Sequence, residues 1–106
     1  MASPAAGEAA GVSEVMAEDL ERRRKRLAFR AWHRGMKELD LLIGGFADRH
    51  LAELDAGQLD RFEALLEVPE PLMYAWLMGQ DRPPAEFEHD VMTLLLNFKY
   101  SPHHLD

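Results

Sequence analysis

Arg34 and Glu38 lie four positions apart around a glycine, and charges of opposite sign at this spacing could build a binding surface. Residues four apart share one side of a helix, so the simplest expectation is a surface ion pair worth about 0.3–0.5 kcal/mol. Gly35 offers a second interpretation, because a glycine can break the helix and let another backbone approach without a Cβ in the way. Both side chains would then project from a bend. The residues alone leave the two interpretations open.

The rest of the chain offers no pattern typical of catalysis or of metal binding. It has no cysteine, which excludes disulfides, thiolate catalysis and cysteine-ligated metals. Its five histidines lack the spacing that places ligands on one helix face, and no glycine-rich phosphate loop is present. The acids Glu86, Glu88 and Asp90 are interpreted as solvated positions near a helix start, where acids are favoured. We therefore expect a protein that is not an enzyme.

The elements that must position Arg34 and Glu38 are predicted to be helices. Apolar residues recur every three or four positions from Leu20 to Phe98, without the alternation of a strand. The predicted helices run from Ser13 to about Trp32, across Met36 to Phe46, from a cap at Asp55 through Leu66, across Leu72 to Leu77 with Gly79 as cap, and from Phe87 to about Asn97. Short connectors join them, so the predicted fold is an all-α, compact five-helix bundle.

The buried faces of these helices are predicted from the same spacing. They comprise Leu20, Leu27, Ala28, Ala31, Met36, Leu39, Leu42, Ile43, Phe46, Leu59, Phe62, Leu65, Leu66, Leu72, Met73, Trp76, Leu77, Phe87, Val91, Leu94, Leu95 and Phe98. Trp76 and Met73 are expected in the core rather than at a cofactor. The small pair Gly44-Gly45 weakens its helix but is expected to let another helix approach closely.

One domain accounts for a chain of 106 residues that is 47% hydrophobic. We expect a disordered tail over 1–12, a single helical domain over 13–100, and a polar tail over 101–106. No apolar run approaches the roughly twenty residues that span a membrane. The N-terminus lacks a secretory signal and is too acidic for a mitochondrial presequence, so a bacterial cytoplasm is the expected location.

The net charge of −7 is distributed unevenly along the chain. Residues 1–37 carry eight basic and five acidic side chains, whereas residues 38–106 carry four basic and fourteen acidic ones. An acidic body argues against general nucleic-acid binding, which needs a broad basic face. The basic run from Arg22 to Arg26 keeps a nucleic-acid arm open as an alternative, although such runs are more often the solvated face of a helix.

The segment Arg34-Gly35-Met36-Lys37-Glu38-Leu39-Asp40 resembles the Arg-Gly-x-x-Glu signature of the succinate dehydrogenase assembly factor 2 family. The resemblance extends from about Arg23 to Phe98 and includes Leu65-Leu66-Glu67 and Ala75-Trp76-Leu77. His33 departs mildly from the family, which often has a basic residue there, so part of the charge at this position depends on pH.

The resemblance implies an assembly factor that promotes covalent FAD attachment to the flavoprotein subunit of succinate dehydrogenase, respiratory complex II. The flavoprotein of fumarate reductase is a further expected client. In this family the factor acts as a chaperone that positions the client. It is expected to hold no FAD stably and to act on client-bound FAD. The residues expected to bind the partner are Arg34, Gly35 and Glu38 from the motif, bordered by Met36, Lys37 and Asp40. The alternative is a nucleic-acid-binding or toxin–antitoxin regulatory protein.

Overall fold

The computed structural model describes residues 19–98 of the chain. All regular elements in that range are helical and none is a strand, which confirms the all-α prediction. The five helices are α1 (19–32), α2 (37–50), α3 (Ala56–Leu66), α4 (Glu70–Leu77) and α5 (Asp90–Asn97), with short 3₁₀ turns at Leu51–Glu53 and Ala85–Phe87. The predicted tails and the predicted start at Ser13 lie outside the described residues, and the domain bounds 13–100 stay a prediction.

Helix α2 contains a wider turn where α1 packs against it. It begins as an α-helix over Lys37–Leu39, passes through a π-helical turn at Asp40–Gly44, and continues as an α-helix over Gly45–His50. A Cβ at Gly44 would lie 2.3 Å from Cδ2 of Trp32, so only glycine lets the indole lie against the helix. The close approach predicted for the glycine pair is confirmed at Gly44.

The ends of α3 and α4 follow from local chemistry that the sequence displays. Asp55 Oδ1 accepts the backbone N–H of Gln58 at 2.8 Å, and Gln58 Oε1 accepts the N–H of Asp55 at 2.9 Å, which forms a capping box. Helix α4 ends before Gly79, whose φ is +74°. Both predicted caps are confirmed. They could be predicted from sequence because each depends only on residues within one turn.

The core lies where one face of each helix meets the others, and most of the predicted core residues occupy it. Phe46 and Phe62 are fully buried and stacked, with ring centroids 5.7 Å apart. Trp76 packs on Phe87 at 5.4 Å and is 6% exposed. The other predicted residues that are buried are Leu27, Ala31, Leu39, Ile43, Leu59, Leu65, Leu66, Met73, Val91 and Leu95.

The prediction of burial is wrong for two residues. Leu72 is 47% exposed and Leu94 is 38% exposed. Helices α4 and α5 have eight residues each and bury a narrow arc, centred on Met73 and Trp76 in α4. At about 100° per residue, Leu72 lies roughly 40° beyond Trp76 and so outside that arc. The sequence of a helix this short does not determine which of its apolar residues are buried.

The predicted start of the last helix at Phe87 is also wrong. Phe87 belongs to the 3₁₀ turn, and α5 begins only after His89. His89 has an extended backbone, and its Nδ1 accepts the N–H of Met92 at 3.1 Å as a helix cap. Accepting this bond requires the neutral imidazole, in accord with the pKa of His89, which burial and the nearby Arg61 lower.

Candidate functional site

A sharp turn at Gly35 separates α1 from α2. The φ angle of Gly35 is +105°, in the region that glycine adopts most readily, and the residue is exposed. Helix α1 ends at residue 32, and Met36 has extended backbone directly before α2. The helix break that the sequence predicted at Gly35 is therefore confirmed.

The side chain of Arg34 lies against the connection between α3 and α4. Its Nη1 donates to the carbonyl of Leu66 at 2.8 Å, and its Nη2 donates to the carbonyl of Val68 at 2.9 Å. Carbonyls at a helix C-terminus lack intrahelical donors, so the guanidinium satisfies the end of α3. Partial burial lowers the pKa of Arg34, although the nearby carboxylate of Glu70 opposes that effect. Arg34 Nε is buried and has no hydrogen-bond partner in the described part of the chain.

Asp40 fixes the other side of the same turn. Its Oδ1 accepts the backbone N–H of Arg34 at 2.8 Å, across the Gly35 bend. Asp40 is also the first residue of the π-helical turn, and its own N–H donates to the carbonyl of Met36 at 2.9 Å. Arg34 and Asp40 therefore hold the conformation of the turn.

Lys37 and Glu38 occupy the outer surface of the turn. Both are exposed in the first turn of α2, and neither forms a hydrogen bond or ion pair with a side chain in residues 19–98. The surface ion pair between Arg34 and Glu38 is accordingly not formed within this range, because Arg34 points to Leu66 and Val68 instead. Met36 packs against the core. Of the six predicted partner-binding residues, Gly35, Lys37 and Glu38 face outward.

Three residues beside the turn were not predicted from the sequence as part of a site. Phe29 and His33 are stacked with ring centroids 3.9 Å apart, and His33 Nδ1–H donates to the carbonyl of Phe29 at 2.7 Å. Glu70 begins α4, and its Oε2 would lie 3.4 Å from a Cβ placed on Gly35. With Arg30, Arg34 and Leu66 they line an open depression of about 290 Å³. The only sequence signal was that Phe29 lies off the apolar stripe of α1.

The basic run of α1 is partly used inside the fold. Arg24 donates through Nε and Nη2 to the carbonyls of Leu51 and Leu54, at 2.8 and 2.7 Å. Arg23 forms ion pairs with Asp60 and Glu63 of α3. The interpretation of the run as a solvated helix face is therefore wrong for these two residues. The same contacts weaken the nucleic-acid alternative, because they neutralise or occupy cations that an arm would need.

Two further observations concern residues 19–98. They contain no cluster of three or more His, Asp or Glu side chains arranged to hold a metal ion. None of the helices in this range has the length and apolar character required to cross a bilayer.

The fold and the site together define a class of protein. Its members are small all-α proteins with an Arg-Gly-x-x-Glu turn, which here lies between α1 and α2. Residues 25–99 match a family model described as the flavinator of succinate dehydrogenase. The chain belongs to this family.

The chain is similar to curated members of the family from bacteria and from mitochondria. It is 44% identical over 78 residues to the FAD assembly factor SdhE of Acetobacter pasteurianus. The aligned region covers 74% of this chain and 69% of that protein. It is 42% identical over 65 residues to SdhE of Legionella pneumophila strain Paris, covering 61% of this chain and 81% of that protein.

The mitochondrial succinate dehydrogenase assembly factor 2 of Dictyostelium discoideum is 36% identical over 77 residues. That match covers 73% of this chain and 55% of the mitochondrial protein, so the chain spans little more than half of that relative. No solved structure matches the chain.

Proposed function

We propose that this chain promotes covalent attachment of FAD to the flavoprotein subunit of succinate dehydrogenase, by binding that subunit with the Gly35 turn. Relatives named FAD assembly factor and succinate dehydrogenase assembly factor support the activity. The observation that carries the site is the turn itself: an exposed glycine at φ +105° beside the exposed charges of Lys37 and Glu38.

In this proposal the residues of the turn have two roles: some hold its conformation, and others contact the client. Arg34 and Asp40 are bonded within the protein, at 2.8–2.9 Å, to the α3–α4 connection and to the turn backbone. In this proposal they position the turn. Glu38 and Lys37 meet the client, and Gly35 allows the client backbone to approach without meeting a side chain. Glu38 places a negative charge near the flavin or the client histidine.

In this proposal the chemistry belongs to the client. The reaction replaces a C–H bond of the FAD 8α-methyl group and the N–H bond of a client histidine with a C–N bond, and the flavin ring takes up the two electrons. The factor holds the client's domains in a competent arrangement. Positioning of this kind can lower a barrier by several kcal/mol without any catalytic side chain in the factor. The factor is thus a chaperone-like assembly factor rather than an enzyme. In this proposal FAD stays with the client, and the factor holds none stably.

Two further parts of the proposal have different support: the first rests on the family resemblance of the Arg34–Asp40 motif, and the second on the bacterial relatives named FAD assembly factor. The fumarate reductase flavoprotein is proposed as a second client. A bacterial cytoplasm is proposed as the place where the factor meets its clients.

The test follows covalent flavin directly. Purified flavoprotein subunit, FAD and a dicarboxylate are incubated with and without this chain, and covalent flavin is read as fluorescence of the subunit on denaturing gels. We expect the chain to increase the rate of covalent attachment. Glu38→Ala should reduce that increase, whereas Asp48→Ala, another exposed carboxylate of α2, should not. An attachment rate that is the same with and without the chain contradicts the proposed function.

A further inference from the structure

The carboxylate of Glu38 leaves α2 two residues before the π-helical turn at Asp40–Gly44. A turn closed by i→i+5 bonds holds one residue more than an α-helical turn. One residue corresponds to about 100° of rotation, so side chains that precede the turn point about 100° away from their direction in a continuous α-helix. At a side-chain radius of about 5–6 Å, that rotation moves a carboxylate by up to roughly 8 Å. The π-helical turn therefore determines where the charge of Glu38 lies.

Both ends of the π-helical turn contact the end of α1. At the first residue of the turn, Asp40 Oδ1 accepts the backbone N–H of Arg34 at 2.8 Å. At its last residue, a Cβ placed on Gly44 would come within 2.7 Å of the indole atoms Cγ, Cδ2 and Cε2 of Trp32, so the ring lies directly on the backbone of Gly44. Trp32 is the last residue of α1. The turn is thus held at two points by one short stretch of chain, residues 32–34.

Packing of the core does not explain the contact between Trp32 and Gly44. Trp32 is only partly buried and lies outside the hydrophobic core of residues 19–98, which Ile43 and Phe46 join from neighbouring positions of α2. A glycine inside a helix costs about 1 kcal/mol relative to alanine, so Gly44 weakens the helix that it belongs to. Turns of the π type are rare and often occur at functional sites. A role in the adjacent binding turn accounts for both residues.

Glu38 has no contact of its own that fixes its direction within the described range. It is exposed and forms no hydrogen bond or ion pair with a side chain in residues 19–98. Met36 precedes the helix with extended backbone and provides no side-chain cap. Leu39 is buried and anchors the first turn of α2 to the core, but the rotation of that turn relative to the rest of the helix depends on the π-helical turn.

We propose that Trp32 and Gly44 are positioning residues for Glu38. The indole of Trp32 lies on Gly44 and keeps the last residue of the π-helical turn against the end of α1. The turn then directs the carboxylate of Glu38 toward the client, and neither Trp32 nor Gly44 has to touch the client. This inference rests on the proposed function, in which the charge of Glu38 lies near the flavin or the client histidine.

The first test is a double-mutant cycle in the gel assay for covalent flavin. Trp32→Ala should lower the promoted rate of attachment on the order of tenfold, because the charge is then misplaced. In a Glu38→Ala background the same substitution should have no further effect, since no charge is left to position. Tyr74→Ala is the matched control, because Tyr74 is another partly buried aromatic residue, and any effect it has should be the same in both backgrounds. A Trp32→Ala effect that is equal in the two backgrounds, or absent from both, overturns the positioning role.

A second cycle tests the contact itself. Gly44→Ala forces the indole of Trp32 off the helix, so it should lower the promoted rate about as much as Trp32→Ala does. In a Trp32→Ala background it should have no further effect, because no ring remains to collide with the methyl group. Gly57→Ala is the matched control: Gly57 also lies in a helix, and a Cβ there would make ordinary contacts, at 3.5 Å with Asp55 Oδ1 and at 3.8 Å with Arg61 Nη1. Equal promotion by Gly44→Ala and Gly57→Ala overturns the proposal.

A third measurement needs no substitution that could disturb folding. NMR spectra of the unaltered protein should show nuclear Overhauser effects between the ring hydrogens of Trp32 and the Hα atoms of Gly44, and their absence overturns the proposal. The gel assay separates this proposal from the proposed function. If the chain fails to promote attachment, the proposed function is wrong. If it promotes attachment and Glu38→Ala impairs it, while the Trp32 and Gly44 variants promote as well as the unaltered protein, only the positioning role is wrong.

Discussion

Substitution of Gly35 separates the conformation of the turn from its contact with the client. Any L side chain at this position must adopt a φ near +105°, where a non-glycine residue is strained by about 1–3 kcal/mol. Space is not the obstacle, because a Cβ would meet only the carboxylate of Glu70, with Oε2 at 3.4 Å and Oε1 at 4.0 Å, which are ordinary contacts. Gly35→Ala and Gly35→Arg should therefore lose similar stability. Since native domains are stable by about 5–15 kcal/mol, both variants should remain folded.

The two variants should differ in the assay for covalent flavin. Alanine adds one methyl group to the exposed turn, whereas arginine places a long cation where the client backbone approaches. We expect Gly35→Ala to retain part of the promoting activity and Gly35→Arg to lose it. Urea denaturation measures the stability of each variant, and fluorescence of the flavoprotein on denaturing gels measures attachment. Equal promotion by the two variants would refute a close client approach and leave Gly35 with a conformational role only.

Three further predictions concern charge and packing. Glu38→Ala should leave the melting temperature nearly unchanged, because the exposed carboxylate forms no ion pair with residues 19–98; a large loss of stability would make the residue structural. Trp76→Ala should lower the free energy of unfolding by about 3–5 kcal/mol in urea, since the ring is 6% exposed, and a smaller loss would place the ring outside the core. Hydrogen bonds from Arg61 and Gln58 depress the pKa of Asp90 from 3.8 to about 2. Its stabilising effect is therefore present above pH 3.8 and lost as the pH falls toward 2, so Asp90→Asn should flatten the acid side of a stability–pH curve.

The sequence predicted those parts of the fold that depend on nearby residues. The cap at Asp55, the end of α4 at Gly79 and the break at Gly35 each follow from one turn of chain, and all three are confirmed. Leu72 and Leu94 could not be predicted correctly, because an eight-residue helix carries too few apolar positions to fix its buried arc. The π-helical turn was not predicted either, since the packing of Trp32 on Gly44 joins two different helices.

The candidate site likewise contains residues whose placement could be predicted from the sequence and residues whose placement could not. Lys37 and Glu38 are exposed, as is usual for charged side chains. The inward direction of Arg34 could not be predicted, because its acceptors are main-chain carbonyls 32 and 34 positions away. A carbonyl has no signature in sequence, so only the fold could reveal this contact. The place of Glu70 beside Gly35 has the same origin.

The bonds that Arg34 makes have a consequence for the rate at which a client can be captured. Its guanidinium and backbone N–H fix the turn on both sides before any partner arrives. A surface that is already in its bound shape loses little conformational entropy on association, so little of the interaction energy is spent on ordering it. The rate of association should then be limited by diffusional encounter, and any slower step would be a rearrangement of the client.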